Sequence, residues 1–276
     1  MSPVEEDEQD LTRKQRREQA RDQRKAIEEA EAASVERRKR LILLGSVAAV
    51  VVVIIAVILV ATSGGGNSTP LPSPNENPQK APAVVKVKKE LAGIPQNGNT
   101  LGSPTAPVTM QYFGDLECPI CKDFTLGALP TLIQKYVRTG KMKIEYRNLE
   151  TATREPETFK TQQSAALSAG KQQKGWYYIE LFYNEQGQED TGYVTEKYLQ
   201  TLAQQTPGLN LATWTSDRNA PEFTNTITSD AQAANNSGFN GTPSFLIGKT
   251  GGTLAKFEYQ SLTDPSSFES AIDKLL

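Results

Sequence analysis

No histidine occurs among the 276 residues of this chain, and only two cysteines do. The first absence removes imidazole metal sites, Ser-His-Asp triads and Cys-His nucleophile pairs. With two thiols and no imidazole, a zinc centre would have to recruit carboxylates or a second subunit, so no metal site is expected. Charge of one sign is lacking as well: 30 basic and 32 acidic residues leave a net of -2. The chain as a whole therefore offers no field that attracts nucleic acid or anionic lipid, and no nucleic-acid partner is expected.

What is present is Cys118-Pro119-Ile120-Cys121. Residues three apart on a helix bring their Cα atoms to roughly 5–6 Å, within the reach of a disulfide. The pair can open and close with little backbone movement, which reads as a two-electron redox switch. A permanent clasp is the weaker reading, because so short a loop gains little from loop-closure entropy.

The charges cluster at the N-terminus. Residues 1–40 interleave acids such as Glu5 and Glu28 with bases such as Arg13 and Arg24 and carry almost no large apolar side chain, so they read as a solvated cytoplasmic tail. Leu41 to Ala61 (LILLGSVAAVVVVIIAVILVA) is free of charge. About 21 residues at 1.5 Å each cross the hydrocarbon layer, and the segment is expected to be a single transmembrane helix. Arg37, Arg38, Lys39 and Arg40 abut its start, whereas the first base after it is Lys80, so the N-terminus should be cytoplasmic and the remainder extracytoplasmic. The long preceding tail and long apolar core favour an uncleaved signal-anchor over a signal peptide. Residues 62–83, rich in Gly, Ser, Asn and Pro, are expected to be a flexible linker.

From Val84 to Leu276 the patterns alternate between strand and helix, which predicts one α/β domain. Pro107 to Phe113 reads as a buried strand and Gly114 to Glu117 as the turn after it. Cys118 then opens a helix with Pro119 at its first position, and an interrupted helix continues to Val137. Lys141 to Arg147 alternates with period two and should return beside the first strand. Residues 156–239 form a helical insertion, with helices around 159–173, 176–183, 195–205 and 223–237. Its aromatic run Trp176, Tyr177, Tyr178, Phe182 and Tyr183 reads as core. Pro243 to Ile247 and Leu254 to Tyr259 make a hairpin, and a final helix, capped by Asp264-Pro265, buries Phe268 and Ile272.

In this order, strand, Cys-Pro-x-Cys at a helix start, helical insertion, then Gly241-Thr242-Pro243-Ser244-Phe245 before a hairpin, the chain resembles the DsbA-like branch of the thioredoxin superfamily. The lead-in from Gly93 to Gly102 and the run Phe113-Gly-Asp-Leu-Glu-Cys-Pro-Ile-Cys121 carry the same likeness. The resemblance implies a thioredoxin-like fold over about 91–276. It also implies a nucleophile at Cys118, a resolving thiol at Cys121, and an active-site loop at Thr242 and Pro243 whose proline is cis. A low thiol pKa at Cys118 would follow from the unpaired N–H groups and dipole of the helix start. The implied activity is protein thiol-disulfide oxidoreduction without a cofactor other than the Cys118-Cys121 disulfide. Exported, cysteine-containing proteins would be substrates, and a membrane redox partner would recharge the disulfide.

Two departures bear on redox tuning. Tyr112 stands six residues before Cys118, where many relatives have a buried acid, and Ile120 stands where the strongly oxidising DsbA has histidine. Asp115 and Glu117 read as exposed turn carboxylates; buried beside Cys118 they would raise its pKa. Three activities stay open: donation of disulfides to exported proteins, their reduction or isomerisation, and a non-enzymatic tethered peptide-binding module.

Overall fold

A computed structural model of the protein describes residues 78–276. The charged tail, the expected transmembrane helix at 41–61 and the linker up to residue 77 lie outside the described residues. Among the described residues, no helix is long and apolar enough to cross a membrane.

The folded unit begins earlier than the composition predicts. A 3-10 turn, Pro78–Lys80, leads into α1, Pro82–Leu91, so the last residues assigned to the linker are ordered. Val84, Val87 and Leu91 recur at helical spacing and are fully buried, which supplies the burial that the Pro-rich segment before them lacks. Gln79 donates through its amide to the carbonyls of Gln204 and Gln205 and so pins the turn to the domain.

Six strands form one sheet in the order β1-β2-β4-β3-β5-β6. β3, Val108–Gly114, is central. It pairs in parallel with β4, Met142–Asn148, and antiparallel with β5, Ser244–Lys249. A strand covered on both faces needs a near-continuous apolar run, and β3 buries all of its residues except Gln111 deeply. β4 covers one face only: Met142, Ile144, Tyr146 and Asn148 are buried and alternate with Lys143, Glu145 and Arg147. The outer strands are short. β1, Gln96–Asn97, and β2, Thr100–Leu101, form a hairpin against β4, and β6, Ala255–Phe257, closes the other edge beside β5.

The crossover from β3 to β4 carries α2, Pro119–Leu126, a short α3, Leu129–Leu132, and a π-turn over Ile133–Val137. The expected breaks in this helix have a cause. At Gly127 a Cβ would lie 2.8 Å from the Leu262 carbonyl, and Ala128 N–H donates to that same carbonyl at 2.9 Å. The chain must therefore stop winding where the 262–263 loop passes.

The helical insertion comprises α4, Pro156–Lys171; α5, Gly175–Asn184; α6, Glu196–Gln205; α7, Leu211–Asp217; and α8, Pro221–Asn236. Four match the periodicity, and Trp176, Tyr178, Phe182 and Tyr183 are core as expected, with Tyr177 only partly covered. α7 was not predicted, because LATWTSD is short and poor in strong helix formers. Tertiary contacts hold it instead: Trp214 is buried, its Nε1 donates to Ala165 O at 2.8 Å, and Ser168 Oγ donates to Trp214 O at 2.7 Å. The last helix, α9, Ser266–Asp273, lays Phe268 and Ile272 into the main core. A smaller cluster of Phe113, Leu149, Ala234 and Phe239 holds part of the insertion to the sheet.

Trp214 anchors the unpredicted helix through both packing and a hydrogen bond. Trp214→Ala is expected to destabilise the domain by about 3–5 kcal/mol in urea unfolding, and Trp214→Phe by less, through the smaller ring and the lost indole hydrogen bond to Ala165 O.

Candidate active site

β3 ends at Gly114, and four residues later Cys118 is the N-cap of α2, with extended backbone angles (φ -69°, ψ 118°). Its side chain takes the place a serine or aspartate fills in an ordinary cap: Sγ accepts from Cys121 N–H at 3.4 Å. Pro119 follows at the first helical position, where its missing N–H costs no hydrogen bond. Both cysteines are free thiols, Cys118 with a trace of exposure and Cys121 with none. Ile120, by contrast, is 45% exposed at the rim.

The two thiols have opposite electrostatics. Contact with Cys121 chiefly lowers the Cys118 thiol to about 7; burial opposes this, and Thr242 together with the N–H groups of Cys121 and Ile120 assist it. Burial pushes Cys121 well above the ordinary thiol range, and Cys118 beside it adds to the rise. One sulfur can therefore carry a thiolate near neutral pH while the other keeps its proton.

Thr242 and Pro243, far away in sequence, arrive at this point because β5 runs antiparallel to β3 and starts where β3 ends. The peptide bond between them is cis. The Cys118 thiol donates to Thr242 O at 3.5 Å, so the expected active-site loop and the thiol pair are brought together. Beside them opens a cleft of about 440 Å³ bounded by Thr242, Pro243, Phe239, Lys256, Phe257 and Tyr259. Tyr259 is 36% exposed, and burial, followed by the charges of Cys121 and Cys118, raises its hydroxyl pKa.

Under Cys121 lies Tyr112, six residues before Cys118 on β3. Its hydroxyl lies 3.4 Å from Cys121 O, 3.4 Å from Thr125 Oγ1 and 3.3 Å from Tyr183 Oη, and Tyr146 Oη lies 3.2 Å from Tyr183 Oη. Burial holds all three phenols well above their usual range. The buried end of the pair thus faces neutral hydroxyls.

Asp115 and Glu117 are not exposed, contrary to expectation. Both are buried, and Asp115 completely so. Asp115 Oδ1 accepts from Glu117 N–H, Thr153 Oγ1 and Gln162 Nε2, while Oδ2 accepts from the N–H groups of Thr151, Ala152 and Thr153. Burial raises the Glu117 carboxyl above its usual range; Thr153 opposes the rise and Asp115 adds to it. Sequence reading also missed Gln186, whose Nε2 donates to Leu116 O at 2.7 Å and Cys118 O at 3.1 Å, locking the turn from the far end of α5. The one local signal for Asp115 was its spacing from Glu117, an Asx turn, and nothing in the sequence marked the 151–153 loop as its partner.

A thioredoxin family model matches residues 96–274, more than half of the chain. The chain belongs to the thioredoxin family. It is 25% identical over 178 residues to the probable disulfide bond formation protein D of Bacillus anthracis, covering 64% of this chain and 77% of that one. The Bacillus subtilis disulfide bond formation protein D is 24% identical over 152 residues, covering 53% and 66%. Among solved structures, oxidised BdbD from Bacillus subtilis superposes with a TM-score of 0.55 at 21% identity, over 67% of this chain and 96% of that one. Wolbachia pipientis α-DsbA1 gives 0.52 at 22% identity, over 67% and 92%. This thioredoxin-family chain is a thiol-disulfide oxidoreductase with a DsbA-like fold, and the reading of a non-enzymatic binding module falls away.

The split between the thiols predicts the pH dependence of alkylation. For the reduced protein, a lowered Cys118 pKa means thiolate above about 7 and thiol below it. The iodoacetamide reaction rate at Cys118 should therefore rise with pH through a midpoint near 7, while Cys121 stays unmodified until the protein is unfolded.

Proposed function

We propose that this chain is a single-pass membrane protein that donates its Cys118-Cys121 disulfide to exported proteins. The observation that carries exchange is the geometry of the pair, Cys118 at the cap of α2 facing Thr242-Pro243 and Cys121 sealed behind it, and the expected oxidising exterior supports donation as its direction. A substrate thiolate attacks Cys118 Sγ, the Cys118–Cys121 bond breaks, and Cys121 leaves and takes up a proton. A second substrate thiolate then attacks the substrate sulfur of the mixed disulfide and releases Cys118 as a thiolate. The substrate loses two electrons and two protons, and the enzyme disulfide is reduced to the dithiol. Because a low-pKa sulfur is the better leaving group, the second step favours release of oxidised substrate.

Exposed Ile120 next to the cysteines, and the cleft lined by Tyr259 and Pro243, support an extended, unfolded polypeptide as substrate. No cofactor besides the cysteine pair is required for the exchange, and a membrane redox partner would restore the disulfide. The uncharged Leu41 to Ala61 segment, with bases on one flank, supports tethering with the catalytic domain outside and the N-terminus in the cytoplasm.

A second reading is reduction or isomerisation of exported disulfides on the same thiol pair, which performs exchange in either direction. The Ile120 side chain, which offers the thiolate neither a hydrogen bond nor a positive charge, favours this reading.

The reduction potential of the full-length protein separates the two. A disulfide donor is expected between the thioredoxin and DsbA potentials, about -270 and -120 mV; a value at or below -270 mV overturns donation in favour of reduction. Cys121→Ser should accumulate mixed disulfides with exported proteins, and Cys118→Ser should accumulate none.

A further inference from the structure

Six donors converge on a carboxylate that has no ion pair among the described residues. Three of them are consecutive backbone N–H groups, from Thr151, Ala152 and Thr153, at 2.9–3.0 Å from Asp115 Oδ2. Such a cradle is expensive to leave empty at its inner end, where Thr153 is buried and an orphaned donor costs about 1–3 kcal/mol. A plain turn after β3 does not need it.

The two ends of the cradle lead to the two halves of the thiol site. On the near side, Asp115 Oδ1 takes the Glu117 N–H at 3.1 Å, and Asp115 O takes the Cys118 N–H at 3.0 Å and the Tyr183 hydroxyl at 3.0 Å. These bonds fix the turn that delivers Cys118 to the cap. On the far side, the Thr151 hydroxyl lies 2.5 Å from the Thr242 hydroxyl, and Thr242 O is the group that faces Cys118 Sγ. Asp115 therefore grips the segment that carries the sulfur and, through Thr151, bears on the segment that meets it.

We propose that Asp115 is a positioning residue for thiol-disulfide exchange, holding Cys118 against Thr242-Pro243 through the 115–118 turn on one side and through Thr151 on the other. The proposal rests on the reading of Cys118 as the exchanging thiol, not on the direction of electron flow. Asp115 touches neither sulfur through its carboxylate; it acts through the backbone and Thr151.

Charge and position make opposite demands, which renders the idea testable. If Asp115 acted only as a nearby negative charge, removing that charge would lower the Cys118 thiolate pKa. If it positions, removal loosens the cap and the Thr242 contact and raises it. Asp115→Asn keeps the shape but puts an amide donor into a ring of donors. In the full-length reduced protein, Asp115→Asn is expected to shift the alkylation midpoint of Cys118 upward, and a rise of one unit would slow the reaction at pH 7 by about fivefold. Thr151→Val leaves the charge in place and cuts only the link to Thr242; it should shift the midpoint in the same direction by less, while Thr151→Ser should hold the wild-type midpoint. A midpoint that is unchanged or lowered in a folded Asp115→Asn protein overturns the proposal. Should Asp115→Asn fail to fold, Thr151→Val decides, because Thr151 is exposed and its variant leaves the core intact: an unchanged midpoint there overturns the proposal equally. A Cys121→Ser protein that traps no mixed disulfide with exported proteins would instead count against the proposed function and leave these shifts readable.

Discussion

The pairing of β3 with its two neighbours is the constraint on which the site depends. Because β4 is parallel to β3, both strands end on the same side of the sheet, Gly114 opposite Asn148; because β5 is antiparallel, it begins there, with Ser244 opposite Phe113. Three loops distant in sequence are thus forced to share one end: the turn carrying Cys118, the 149–153 loop and the Thr242-Pro243 segment. Active groups gather at the carboxyl ends of strands in open α/β sheets for this topological reason. A strand as apolar as β3 has no alternative position in the sheet, so the register and the site are selected by the same burial.

On that frame the chemistry is one of asymmetry. Two identical side chains three residues apart differ because one caps a helix at the protein's rim and the other lies a turn inside, over Tyr112, Tyr146 and Tyr183. Cys121 and the N–H groups of the cap favour a thiolate at Cys118, whereas burial and the neighbouring Cys118 disfavour one at Cys121. Tyr112 does more than leave this position without a carboxylate. The ring packs edge-on to Phe124 and Tyr146 and stacks on Phe245, so the position has become part of the aromatic core. The buried acid near the site is instead Asp115, which accepts four hydrogen bonds from backbone N–H groups and two from the side chains of Thr153 and Gln162.

Much of this was legible along the chain. The period-two alternation of β4, the unbroken apolar run of β3 and the Cys-Pro-x-Cys at a strand-to-helix junction each reflect local burial or local backbone geometry. Such signals survive in a single sequence. The helix from Pro82 was partly hidden by a proline-rich lead that belongs to two regimes at once, tether on one side and first helical turn on the other. α7 was invisible because its stability resides in Trp214 and its contacts with α4, and not in its own residues. Asp115 was misread for the same kind of reason: a carboxylate in a polar turn is exposed by default, and only a loop arriving from the end of β4 makes burying it affordable.

By itself, then, the sequence determined the chemistry available: two thiols, no imidazole, a helix cap for one sulfur and a strand to carry it. It also determined the charge-free 41–61 segment, whose length and flanks carry their meaning without any contacts. The tertiary structure alone decided which partners those thiols meet, because the contacts that matter join residues 115, 151 and 242, and no periodicity links positions so far apart. Long-range pairing of strands brings them together, and burial then turns ordinary polar side chains into a fixed frame around a reactive sulfur.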